Sequence, residues 1–361
     1  MTQFQIRKDD FSVKRLVETD NTAPLQDGDI KVKINRFAFT ANNITYAATG
    51  DILGYWQFFP PVGSDTKGWG VIPVWGFAEV IASNQGELEI GERLFGYFPP
   101  AEEMTMTPVK VSSQRLIDGS PHRAKLPPGY NNYRRVNAEP GYNSDMDNER
   151  MLLWPLFITS FCLWDALQDK SWYGAEQVII ISASSKTSIG LAYALHDDVS
   201  SPTVVGITSN RNIDLVNSLG LYDQSISYDA LADVDSTLAT VIVDMSGNKA
   251  VLTQLYKQLG ENMKYCINVG LTHWHETDAN DISTDGRSEF FFAPAHIQKR
   301  LKDWGPEGFE QKTSRYIMQT VAKTRDWLKL QKVAGLEGLE TVYDDVCEGR
   351  VAPDAGIIIE L

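Results

Sequence analysis

The sequence predicts an α/β protein in two parts, a β-rich domain followed by a doubly wound parallel sheet, and three observations predict it. A chain of 361 residues is long enough for two cores, since single domains run to roughly 100–200 residues. From Ile30 to about Pro100, short strand-like runs are punctuated by glycine and proline, an all-β texture. From Met151 onward, continuous apolar runs alternate with helical patterns, as in a parallel sheet covered on both faces.

In the first part, residues 30–39, 71–82 and 93–98 read as strands. Residues 121–148, rich in Pro, Asn, Tyr and Arg without a sustained period, read as an ordered loop or insertion and the natural place for a lid or boundary. Residues 154–169 then read as an apolar helix, 177–183 as a strand, 188–196 as a helix and 203–207 as a second strand. Residues 212–219 are helical in pattern, 239–244 a third strand, 249–259 a helix and 265–270 a further strand. An aromatic strand at 290–293 precedes a long helix around 313–333, a helix at 339–348 and a last strand at 356–361. The expected domains are 1–150 and 151–315, with 316–361 returning to the first.

Composition excludes several classes. With 43% hydrophobic and 22% charged residues the chain is ordinary globular. A net charge of -14 repels phosphate backbones and anionic lipid, so neither nucleic acid nor a membrane surface is the expected partner. Residues 1–10 are polar and no later stretch approaches the roughly 20 apolar residues of a membrane span, which predicts a cytoplasmic protein. Cys162, Cys266 and Cys347 are widely spaced, giving neither a disulfide framework nor a Cys-x-x-Cys metal site; Cys162 and Cys266 sit in apolar runs and read as buried.

Several segments together resemble the quinone and enoyl reductase branch of the medium-chain dehydrogenase/reductase superfamily. Asn42-Asn43-Ile44-Thr45-Tyr46 followed by Gly50 is similar to that branch's Asn-x-x-Asp segment and glycine. Trp75-Gly76-Phe77-Ala78-Glu79-Val80 resembles its glycine-centred strand, and Gly91-Glu92-Arg93-Leu94-Phe95-Gly96 its Gly-Asp-Arg-Val-Phe-Gly turn. Residues 178–192 and 204–220 are similar to the first two units of a Rossmann sheet, and 343–361 to the closing helix, glycine turn and final strand. The resemblance implies a GroES-like catalytic domain plus a Rossmann domain. It also implies the absence of a catalytic zinc, because residues 37–45 contain no cysteine and Gly76 is followed by Phe77-Ala78 where a zinc enzyme has His-Glu. His273 and His275 form a His-x-His pair beside Glu276, too little to define a metal site.

A dinucleotide site needs a strand ending in a tight turn that aims backbone N–H groups and a helix N-terminus at the pyrophosphate. Here that turn is Ser182-Ala183-Ser184-Ser185-Lys186-Thr187-Ser188-Ile189-Gly190, with Gly190 as its only glycine. Ser184, Ser185 and Thr187 can add hydroxyl donors and Lys186 a charge. The missing glycines also fit a Rossmann loop that binds nothing, while a P-loop would need glycines that are absent. The second strand leads into Gly206-Ile207-Thr208-Ser209-Asn210-Arg211-Asn212, without the acid that would bind NAD ribose. Ser209 and Arg211 suit a 2′-phosphate, which predicts NADP(H); Arg211 also fits a solvated residue opening the next helix.

Without zinc, reduction of an activated double bond or quinone needs a proton or hydrogen-bond donor near the developing enolate. Tyr55 follows Gly50 where some enoyl reductases place a tyrosine, and Tyr46, Asn43 and Thr45 share its segment. These aromatics, with Trp56, Phe58 and Phe59, equally fit simple packing. His273, on the loop Asn268-Val269-Gly270-Leu271-Thr272-His273-Trp274, is the best histidine for a donor, and Gly270 is expected beside the nicotinamide. Ser246 and Gly247, after the third strand, and Thr159, in the helix leading into the second domain, are the other expected cofactor contacts, as is Asn43. The expectation is an NADPH-dependent reductase of a hydrophobic carbonyl-conjugated small molecule, a quinone, enone or enoyl-type substrate, with a non-catalytic NADPH-binding sensor or scaffold as the alternative. The strand Phe290-Phe291-Phe292 is expected to form a homodimer contact.

Overall fold

The computed structural model describes residues 1–20, 23–269 and 286–361. These divide into two compact units, Met1–Leu152 with Lys329–Leu361, and Leu153–Leu328.

The second unit is built on a parallel sheet whose strands lie in the order Gln224–Ser227, Thr203–Thr208, Gln177–Ile181, Thr240–Asp244, Met263–Asn268 and Ser288–Phe290. Counted along the chain this is 3-2-1-4-5-6, the dinucleotide-binding order, in which ligands lie beyond the carboxyl ends of the strands where the order reverses. The pleat of Gln177–Ile181 explains its apolar run. Val178 and Ile180 join Leu191, Leu195, Val241 and Val243 on one face, while Ile179 and Ile181 join Val205, Ile207, Ile242 and Leu255 on the other. A fully buried side chain of this kind contributes about 1.5–3 kcal/mol, so a strand apolar on both faces is strongly specified.

In the first unit, the main sheet runs Lys329–Ala334, Ala355–Glu360, Ile30–Phe39, Val74–Ser83, Arg93–Phe98, Asn132–Arg135, Arg115–Asp118 and Pro108–Val109, and Glu103–Met106 also pairs with Ile30–Phe39. Its pairings are antiparallel except for the first two strands, which are parallel and joined by the helix Gly335–Cys347. Thr2–Arg7, Lys14–Glu18 and Trp69–Gly70 form a second, smaller sheet.

Several sequence readings are corrected. The segment 121–148 is not all loop, because Asn132–Arg135 pairs with strands on both sides and the helix Asp147–Asp169 begins before residue 154. Asp147 anchors that start: its fully buried carboxylate accepts hydrogen bonds from Arg93 at 2.9 Å, Tyr142 at 2.9 Å and Arg36 at 3.3 Å. The long helix is Ala293–Thr324, broken at Gly305-Pro306, and Lys329–Ala334 is a strand where a helix was expected. The segment Ser144–Asp169, which contains the helix Asp147–Asp169, is long and apolar enough to cross a membrane by length and composition alone, where the sequence reading found no such stretch. Most of it is buried within the protein, with Leu153, Phe157, Cys162, Leu163 and Leu167 fully so, as in a core helix.

Candidate functional site

At the carboxyl end of Gln177–Ile181 the chain turns sharply. Ser182 takes φ +65°, a left-handed conformation usually left to glycine, and Ser185 caps the helix Lys186–His196 by accepting from the Ser188 N–H at 3.2 Å. The turn is fastened from outside. Ala183 donates its N–H to Ile207 O at 2.9 Å and its carbonyl accepts from the Tyr222 hydroxyl at 2.7 Å. Close approach explains two glycines: a Cβ on Gly190 would stand 2.5 Å from Ser160 Oγ, and one on Gly206 would stand 2.7 Å from the Tyr222 ring.

The serine hydroxyls are engaged with the protein. Ser184 is buried, and its Oγ accepts from Thr208 Oγ1 at 3.1 Å and from the Asn212 amide at 3.0 Å. Ser185 Oγ donates to Ser188 Oγ at 2.8 Å. Both are expected phosphate donors; here they also shape the turn, beside half-buried Lys186 and Thr187 at the helix N-terminus. Thr159 Oγ1 donates to Pro155 O at 3.2 Å within its own helix, while the neighbouring Ser160 Oγ donates to Thr187 O at 2.7 Å and so supports the loop.

After the second strand, Ser209 precedes the short turn Asn210–Asn212, on which Arg211 is exposed. After the third, Asp244 organises its own turn: its carboxylate accepts from the Ser246 N–H and hydroxyl at 2.8 and 2.7 Å and from the Gly247 N–H at 3.0 Å, with Gly247 at φ +68°. Ser246 and Gly247, expected as cofactor contacts, follow the third strand with those donors turned onto Asp244. Tyr228, which the sequence reading passed over, is hydrogen-bonded to Ser182, and burial and the Asp244 charge push its hydroxyl up to about 12. Gly270 and His273 lie outside the described residues.

In the β-rich unit, Asn43 is a capping residue. Its Oδ1 accepts from the Thr40 N–H at 2.8 Å at the start of the helix Ala41–Ala48, and its amide donates to Pro73 O at 2.8 Å, so this expected cofactor ligand is held by its own unit. Gly50 is required because a Cβ there would meet the Trp56 indole at 2.2 Å. Tyr46 and Tyr55 come together with ring centroids 4.6 Å apart, and both are buried. Trp75 Nε1 donates to the Tyr46 hydroxyl at 3.3 Å, and the Tyr55 and Tyr130 hydroxyls are 2.9 Å apart. Burial and then neighbouring Tyr55 raise Tyr46 well above the usual phenol range; burial also raises Tyr55, against the hydrogen bond shared with Tyr130. Both phenols therefore stay protonated at neutral pH. Among the described residues no group of three or more His, Cys, Asp or Glu is placed to hold a metal ion.

Residues 37–352 match the family described as protein of unknown function (DUF2855). No curated protein matches in sequence. Among solved structures, the chain is similar to CurA from Vibrio vulnificus in complex with NADPH, at 13% identity and a TM-score of 0.67, covering 100% of this chain and 99% of that one. It is similar also to the yhdH oxidoreductase from Salmonella enterica in complex with NADP, at 14% identity and a TM-score of 0.54 with both chains fully covered. A putative NADPH:quinone reductase from Bacillus thuringiensis matches at 12% identity and a TM-score of 0.57, over 100% of this chain and 98% of that one. The chain thus shares the fold of these structures, a GroES-like domain with a Rossmann domain, as the sequence predicted.

Proposed function

We propose that this chain, which belongs to the DUF2855 family and carries the medium-chain dehydrogenase/reductase fold, is an NADP(H)-dependent, zinc-independent oxidoreductase that transfers hydride to a quinone, enone or enoyl-type substrate. The observation that carries this reading is the turn at residues 182–186, which sets a capped helix N-terminus and Lys186 at the carboxyl end of the first strand of a 3-2-1-4-5-6 sheet. That turn suits a pyrophosphate through its backbone, the left-handed Ser182 standing in for a glycine. Exposed Arg211 and the lack of an acid at the end of the second strand favour a 2′-phosphate. That CurA and yhdH were crystallised with NADPH and NADP supports the same cofactor. Bound there, it would supply the hydride; Tyr55, with Tyr46 beside it, would supply the proton or hydrogen bond.

The lack of cysteine in residues 37–45, and Phe77-Ala78 after Gly76 where a zinc enzyme has His-Glu, support a metal-free reaction. The net charge of -14 favours a small-molecule substrate over nucleic acid or an anionic membrane surface. A second reading, a non-catalytic NADPH-binding sensor or scaffold, is favoured by one observation: the Ser184, Ser185 and Ser246 hydroxyls all bond within the protein. The test is NADPH oxidation by chelator-dialysed protein against a panel of quinones, enones and enoyl thioesters. Turnover with at least one class supports the oxidoreductase; tight NADPH binding with no turnover on any of them supports the sensor.

A further inference from the structure

The segment 121–148 brings one group to the tyrosine pair that the functional reading above does not use. Tyr130 sits on the turn Pro128–Asn131, and its ring is fixed by Tyr97 at 4.7 Å, Phe58 at 5.3 Å and Tyr55 at 5.6 Å between centroids. Its hydroxyl lies 2.9 Å from that of Tyr55, where burial raises both phenols above their ordinary value. In such surroundings a phenolate has few partners, and a hydrogen bond to a charged oxygen is worth more than one in water.

We propose that Tyr130 is a positioning residue that donates its hydroxyl proton to the Tyr55 oxygen, orienting Tyr55 as the acid and holding the phenolate left after proton transfer. The inference rests on the reductase reading. When hydride from a reduced nicotinamide adds to the β carbon of an enone, a C–H bond forms there and the conjugated double bond opens to an enolate. The Tyr55 O–H bond then breaks as its proton passes to the enolate, Tyr55 becomes a phenolate, and water later returns the proton. With Tyr130 as donor to Tyr55, the Tyr55 hydrogen is left for the substrate, and the new charge forms on an oxygen already facing an O–H.

Tyr130→Phe removes one oxygen and keeps the ring. Turnover should fall about 10- to 100-fold, the worth of one hydrogen bond to a charged group, with cofactor affinity within twofold (~2-fold) and the melting temperature within a few degrees of wild type. Because losing that donor raises the Tyr55 pKa, the alkaline limb of kcat, where the acid is lost, should move to higher pH. Tyr55→Phe should cost about 100-fold or more, and the double variant should be no slower than Tyr55→Phe alone, since the two act as one unit. An unmoved alkaline limb, or losses that multiply in the double variant, would mean that Tyr130 only packs, and the reductase reading would stand without it. A Tyr55→Phe protein as fast as wild type, or a wild type that reduces nothing, would instead overturn the reading and this inference together.

Discussion

The Asn212 side-chain amide donates to Ser184 Oγ at 3.0 Å, so the turn after the second strand of the Rossmann sheet is tied to the turn after the first. Thr208 donates to the same buried oxygen at 3.1 Å. The part of the fold proposed to read the 2′-phosphate is thereby held in register with the part proposed to hold the pyrophosphate.

Ser184→Ala leaves a buried Thr208 hydroxyl and the Asn212 amide without that acceptor. We expect a loss of about 1–3 kcal/mol in urea unfolding, accompanied by weaker binding of NADPH and NADH alike, because both need the first turn in place. Stability within about 0.5 kcal/mol of wild type would show that Ser184 does not link the turns.

Glu139 gives the β-rich unit an acid-sensitive contact. Burial alone would raise its pKa, but Arg150, gripping both carboxylate oxygens at 2.7 and 2.9 Å, and Arg134 at 3.2 Å hold it below the ordinary range. A pKa lower in the folded than in the unfolded chain means stability that is fully present above the unfolded value, about 4.3, and lost as pH falls through the folded one. Thermal melts should therefore decline below about pH 4.3 more steeply in wild type than in Glu139→Gln, which should also melt lower at neutral pH. Parallel acid slopes would contradict this.

How much of this was legible in the sequence differs between the two units. Val178 to Ile181 announced a strand buried on both faces because four consecutive large apolar β-branched residues, in a chain where such runs alternate with helical patterns, suit a covered parallel sheet. Lys329–Ala334 read as helix because its lysines and leucine suit one, and only pairing with the distant Ala355–Glu360 makes it a strand. At the site, the turn at 182–186 was found but the direction of its hydroxyls was not, since the partners of Ser184 come from another turn and those of Ser246 from Asp244. Tyr130 was hidden in an aperiodic segment. Its place beside Tyr55 comes from a turn packed on the strand Arg93–Phe98, which no local pattern reports.

The edge of the Rossmann sheet bears on assembly. Ser288–Phe290 is its last strand, and Phe290 is 52% exposed while Phe291 is buried. An edge strand carrying an exposed aromatic favours pairing with a second copy. We expect a homodimer by light scattering, and a monomer with an unchanged fold for Phe290→Glu; a monomeric wild type would exclude this edge as a self-contact.

The central claim is that the chain binds NADP(H) through the turn carrying Arg211, and fluorescence titration of wild type and Arg211→Ala with NADPH and NADH tests it most directly. Wild type should bind NADPH more tightly than NADH. In the variant, NADPH binding should weaken by about 1.5–3 kcal/mol, one charge-assisted phosphate contact, with NADH nearly unchanged. Equal affinity of the wild type for both cofactors, or equal losses for both on removing Arg211, would contradict it.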